Sequence, residues 1–65
     1  DREAAMRGLH AALRPGALLA VTEALPDPDY QSRRTVRRLA EQAGFEFSRV
    51  RGNGLAFTMV FRKPG

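Results

Sequence analysis

Apolar residues recur along this chain in two rhythms. In the first 13 residues, Ala5, Met6, Leu9, Ala12 and Leu13 gather on one face at helical spacing, predicting a helix over 1–13. Pro15 and Gly16 stop it, since proline disfavours helix at Arg14 and glycine suits a tight turn. Ala17 to Thr22 then holds no polar residue before the threonine, which predicts a short strand buried on both faces. Helical spacing returns with Val36, Leu39, Ala40 and Ala43, predicting a second helix from about Ser32 to Ala43, with Gly44 as its stop. From Phe45 to Arg51 the rhythm alternates, with Phe45 and Phe47 on one side and Glu46 and Ser48 on the other. Gly52-Asn53-Gly54 predicts a hairpin whose Asn-Gly pair takes the left-handed conformations of a tight turn, with Gly54 needing positive φ. In Leu55 to Phe61, Leu55, Phe57, Met59 and Phe61 fill one face while Ala56 and Val60 fill most of the other, so this strand belongs inside a sheet.

These elements assemble in one way. A helix between the first two strands implies parallel directions and a right-handed crossover. The hairpin makes the third strand antiparallel to the second, and its two apolar faces place it in the middle. The expected fold is α/β: a three-stranded mixed sheet in the order first, third, second, with two helices on one face. The other face is expected to carry uncovered apolar side chains from all three strands, the mark of an interface. Ala17 to Thr22 would lie at an edge with no charge to deter pairing, so association of two copies through Leu18 and Ala20 is expected.

Composition narrows the picture. Sixty-five residues make at most one domain, one that buries only about 60% of its unfolded surface, so stability from a partner or from further chain is expected. There is no cysteine, which excludes disulfides and thiolate metal sites and suits a cytoplasmic protein. The single histidine, His10, lies one step off the apolar stripe and reads as a half-exposed helix residue rather than a metal ligand. The longest apolar run falls far short of the roughly 20 residues that cross a bilayer. The net charge is +4, and Arg33, Arg34, Arg37 and Arg38 share the polar side of the second helix. Arg37 forms an i,i+4 pair with Glu41, and no aromatics interleave with the arginines, which argues for a solvated face and against nucleic acid. Asp1 and Glu3 suit the start of the first helix, and Asp27 before Pro28, or Ser32, suits the start of the second. Glu23 ends the first strand, the position outside which open α/β sheets bind ligands.

Three segments resemble a known family. Leu13-Arg14-Pro15-Gly16-Ala17-Leu18-Leu19 is similar to the Leu-x-Pro-Gly-Gly segment that precedes the fifth strand of class I S-adenosylmethionine-dependent methyltransferases, with Ala17 in place of the second glycine. Leu39-Ala40-Glu41-Gln42-Ala43-Gly44-Phe45 resembles the helix that leads into their sixth strand, and the hairpin ending Phe61-Arg62-Lys63-Pro64 resembles their sixth and seventh strands. The resemblance implies a Rossmann-like fragment: residues 1–65 as a single partial domain, the C-terminal third of a methyltransferase domain. It implies S-adenosylmethionine as cofactor of the parent protein and a small-molecule methyl acceptor. The family's cofactor determinants lie outside this segment, so no catalytic or cofactor residue carries over, and the chain alone is expected to be inactive and to bind no cofactor. The loop after the family's fifth strand borders the acceptor, which makes Glu23, Asp29 and Tyr30 substrate-pocket candidates. The expected partners are the missing N-terminal part of the domain or a second copy in a homodimer, with no membrane. The alternative is a non-enzymatic binding or assembly module using the open sheet or the arginine-rich helix face.

Overall fold

The computed structural model describes residues 1–26 and 30–65. Its elements run α1 (Arg2–Ala12), β1 (Leu18–Ala24), α2 (Arg33–Gln42), β2 (Glu46–Gly52) and β3 (Ala56–Arg62). The alternative helix start at Asp27 lies outside the described residues.

Both helices begin and end for local reasons. Asp1 caps α1, its Oδ1 accepting from the Ala4 amide at 2.7 Å, and Ser32 caps α2, its Oγ accepting from the Thr35 amide at 3.3 Å. At the far end of α2, Gly44 takes φ +107°, and the amides of Gly44 and Phe45 return to the carbonyls of Glu41 and Ala40 at 3.0 Å each. This Schellman closure satisfies carbonyls that the helix leaves free and aims Phe45 into the core. Gly16, at φ +88°, turns the chain from α1 into β1, and its amide donates to the Lys63 carbonyl at 2.7 Å.

The strand order is β1-β3-β2, with β3 in the centre. β1 and β2 run the same way but never touch, and β3 is antiparallel to both, so the sheet is antiparallel rather than mixed. Phe57, Met59 and Phe61 of β3 are buried with Val36, Ala40 and Phe45, and Met6, Leu13, Leu19, Val21, Ala43 and Phe47 pack around them. That single cluster places both helices on one face of the sheet.

Three expectations fail here. β1 is not buried on both faces: Leu19, Val21 and Glu23 are half-buried, while Leu18, Ala20, Thr22 and Ala24 are exposed, Leu18 at 60%. The open face is not apolar across all three strands. A bulge between Phe47 and Arg49 shifts the register, so that Val50 joins Phe47 on the helix side while Arg49 and Arg51 pair opposite Val60 and Thr58 on the open side. The hairpin is not a two-residue Asn-Gly turn. Asn53, Gly54 and Leu55 form the loop, the Asn53 amide donates to the Ala56 carbonyl at 2.9 Å, and Asn53 Oδ1 accepts from the Leu55 and Ala56 amides at 2.9 and 3.1 Å. Gly52, not Gly54, takes the positive φ, at +98°, and Leu55 is exposed rather than facing the core.

Candidate functional site

Glu23 sits at the carboxyl end of β1 on the helix-covered face, opposite Phe57. Its carboxylate is fully engaged: Oε2 accepts from Arg2 at 3.2 Å and Oε1 accepts from the Gln31 amide at 2.9 Å, leaving the side chain 10% exposed. One carboxylate thus ties the start of α1 and the approach to α2 to the end of β1. Tyr30 lies at the same end of the sheet. Its hydroxyl donates to the Gly54 carbonyl, and its ring stands edge-on to Phe57, with centroids 6.0 Å apart. Both residues adjoin Phe57, Glu23 as its strand partner and Tyr30 through its ring, and both hold neighbouring segments in place. Asp29, the third candidate, lies outside the described residues.

His10 packs edge-on against Phe45, with ring centroids 5.0 Å apart, over Gly44, where a Cβ would come within 2.7 Å of its Nε2. It is half-buried, and no group of three or more metal-ligating side chains forms among the described residues. On α2, Arg37 bonds Glu41 at 3.1 Å and lies over the Phe47 ring at 4.3 Å, while Arg33, Arg34 and Arg38 are exposed.

The feature that sequence reasoning missed is a cavity. α1 is fastened at both ends, by Arg2 to Glu23 and, at its C-terminal end, by Lys63 to the carbonyls of His10 and Leu13. Between these points it buries no residue completely, although Met6 packs against the core. The space beneath it, about 350 Å³, has Ala5, Met6 and Leu9 above and Leu19, Val21 and Leu39 around it. Ala20 and Thr22 also line it, although their side chains belong to the other face, so the cavity reaches the outer rim of β1. Gln31 also lines it, while Gln31 Oε1 is buried out of solvent's reach, with no hydrogen-bond partner among the described residues. In the sequence, only the small and apolar character of Ala5 and Leu9 on one helix face hinted at this space.

The backbone of β1 completes the site. The Lys63 amide bonds the Ala17 carbonyl at 2.9 Å, and the Leu25 amide bonds the Leu55 carbonyl at 2.8 Å. Antiparallel pairs alternate, and the β1–β3 register is unbroken, so the odd-numbered residues of β1 bond to β3. The N–H and C=O groups of Leu18, Ala20, Thr22 and Ala24 point outward, at an edge that no strand covers among the described residues. No known protein family, curated protein or solved structure matches the chain.

Proposed function

We propose that this chain is the carboxyl-terminal third of a class I S-adenosylmethionine-dependent methyltransferase domain acting on a small molecule, inactive on its own. The observation that supports this reading best is the sheet order, in which a reversed third strand lies between two strands that are joined through a helix. The position of Pro15-Gly16 at the entry to β1 and of Ala43-Gly44-Phe45 at the exit from α2 also supports the reading. On this reading the remainder of a Rossmann-like domain, or a second copy, meets the chain at β1, and the protein works in the cytoplasm. Among the described residues no helix is long and apolar enough to cross a membrane.

Two measurements test it. Titration calorimetry of the chain with S-adenosylmethionine is expected to give no binding, because the glycine loop and ribose-binding acid of such sites have no counterpart here. The coding sequence upstream is expected to hold a strand followed by Gly-x-Gly roughly 100 residues earlier. Micromolar binding by the chain alone, or an upstream sequence without that loop, overturns the proposal. The second reading, a binding or assembly module without enzymatic activity, is favoured by the free β1 edge and its cavity.

A further inference from the structure

We propose that the open face of the sheet, where β1 and β2 end, binds the oxyanion of a small molecule between Arg51 and the hydroxyls of Thr22 and Thr58. This site goes beyond the methyltransferase reading and does not depend on it.

The strand register sets Thr22, Thr58 and Arg51 in one row across β1, β3 and β2, on the face away from the helices. The Oγ1 atoms of Thr22 and Thr58 lie 2.9 Å apart. Each hydroxyl carries one hydrogen, so the bond between them uses one and leaves the other to donate outward. Arg51, opposite Thr58, is exposed and pairs with no carboxylate among the described residues. The Glu23 carboxylate, next along β1, is turned through to the helix side, where Arg2 and the Gln31 amide hold it. Glu46 stands at the opposite end of β2, bonded to Arg62. The row thus offers spare donors and a positive charge, with no acid beside it among the described residues. A guanidinium fork meets two oxygens of a carboxylate or phosphate group at once, and a hydroxyl alongside adds a third bond.

The bulge in β2 is what creates this row. Strict alternation from Phe47 would carry Arg51 to the helix side, and the shift between Phe47 and Arg49 turns it onto the open face beside Thr58. Bulges re-aim side chains in this way next to active sites.

There is also room for more than the anionic group. A shallow recess of about 290 Å³ includes the whole row, and Ala24, Gly52 and Ala56 extend it with small side chains. A benzene ring fits in about 150 Å³, so the recess admits a body of that size together with its charged group. It lies at the carboxyl ends of β1 and β2, the side on which open α/β sheets take their ligands.

The probes are phenyl phosphate and benzoate, which share the oxyanion and differ in its source, with benzyl alcohol as the neutral control. Each is titrated into the isotope-labelled chain at constant ionic strength and followed by amide NMR. At least one anion is expected to shift Thr22, Arg51 and Thr58 along a saturating curve with a dissociation constant of about 1–10 mM, as suits an exposed charged contact. Benzyl alcohol is expected to leave them in place. The tighter anion identifies the group as phosphate or carboxylate. Arg51→Gln should weaken binding about tenfold or more, and Thr58→Val, which keeps the shape and removes the hydroxyl, about 3- to 10-fold. Arg34→Gln removes the same charge from α2, on the helix side, and should change binding less than about twofold. All three side chains lie outside the core cluster, so thermal unfolding should stay cooperative in each variant. Failure of both anions to give a saturable shift, equal shifts with benzyl alcohol, equal losses in Arg34→Gln and Arg51→Gln, or undiminished binding by both Arg51→Gln and Thr58→Val would each overturn the proposal.

Discussion

Lys63 reaches from the end of β3 to the end of α1, donating from Nζ to the His10 carbonyl at 2.6 Å and the Leu13 carbonyl at 2.8 Å. Residues 50 and 53 positions apart in sequence are joined at a helix terminus, where free carbonyls and the helix dipole both favour a cation. The contact is half-buried, so water replaces it only in part. Lys63→Met, which keeps the bulk and removes the charge, is expected to lower stability by about 1–2 kcal/mol. Exchange of the Leu13 amide should quicken before global unfolding, as read by hydrogen-exchange NMR.

Gly52 and Gly54 flank Asn53 in the hairpin but meet different surroundings. A Cβ on Gly52 would lie 2.2 Å from the Ala56 carbonyl oxygen at a φ of +98°, while one on Gly54 would meet nothing within 4 Å. Gly52→Ala is therefore expected to cost about 1–3 kcal/mol or more, and Gly54→Ala less than about 0.5 kcal/mol. Urea unfolding of the two variants checks the ranking. Equal midpoints would mean that the loop rearranges around either change.

Glu23 separates a charge from a hydrogen bond. Glu23→Gln keeps an acceptor for the Gln31 amide and gives up the ion pair with the half-exposed Arg2, so it should cost under about 1 kcal/mol. Glu23→Leu leaves the Gln31 amide without its partner and should cost about 1–3 kcal/mol. Thermal melts of both variants decide between an electrostatic role and a positioning one.

Oligonucleotides are expected to bind weakly and without sequence preference. Arg37 is occupied by Glu41 and Phe47, which leaves Arg33, Arg34 and Arg38 exposed on that helix face. About three phosphate contacts give a slope of log K against log salt no steeper than about −3. Tight binding that survives high salt would mark the arginine face as a nucleic-acid surface.

Much of this fold was legible because local signals agreed with one another. The stripe of Val36, Leu39 and Ala40, the glycine after it and the two-faced apolar pattern of the last strand are enough to order the strands. The bulge was not legible, because one extra residue leaves the Phe45–Phe47 alternation intact and acts only beyond it. Val50 flanked by Arg49 and Arg51 was the available sign, since strict alternation from Phe47 would have driven both guanidinium groups into the core. The loop misled for a related reason: Asn53 uses its side chain as a substitute carbonyl, which widens the turn beyond its Asn-Gly signal. The β1 pattern was read correctly as apolar but wrongly as covered, because a sequence records what a face prefers and not whether a neighbour is there to meet it. The cavity arises where α1, β1 and α2 meet, a tertiary arrangement that no local pattern encodes.

The bulge after Phe47 has a consequence for growth. Strand addition can proceed from β1, but the kinked, arginine-bearing edge at β2 offers no regular ladder to a further strand. Whatever sheet this chain joins stops there. It can be the last tile of a larger array and not a repeating one, so any growth at the apolar β1 edge ends after a single addition.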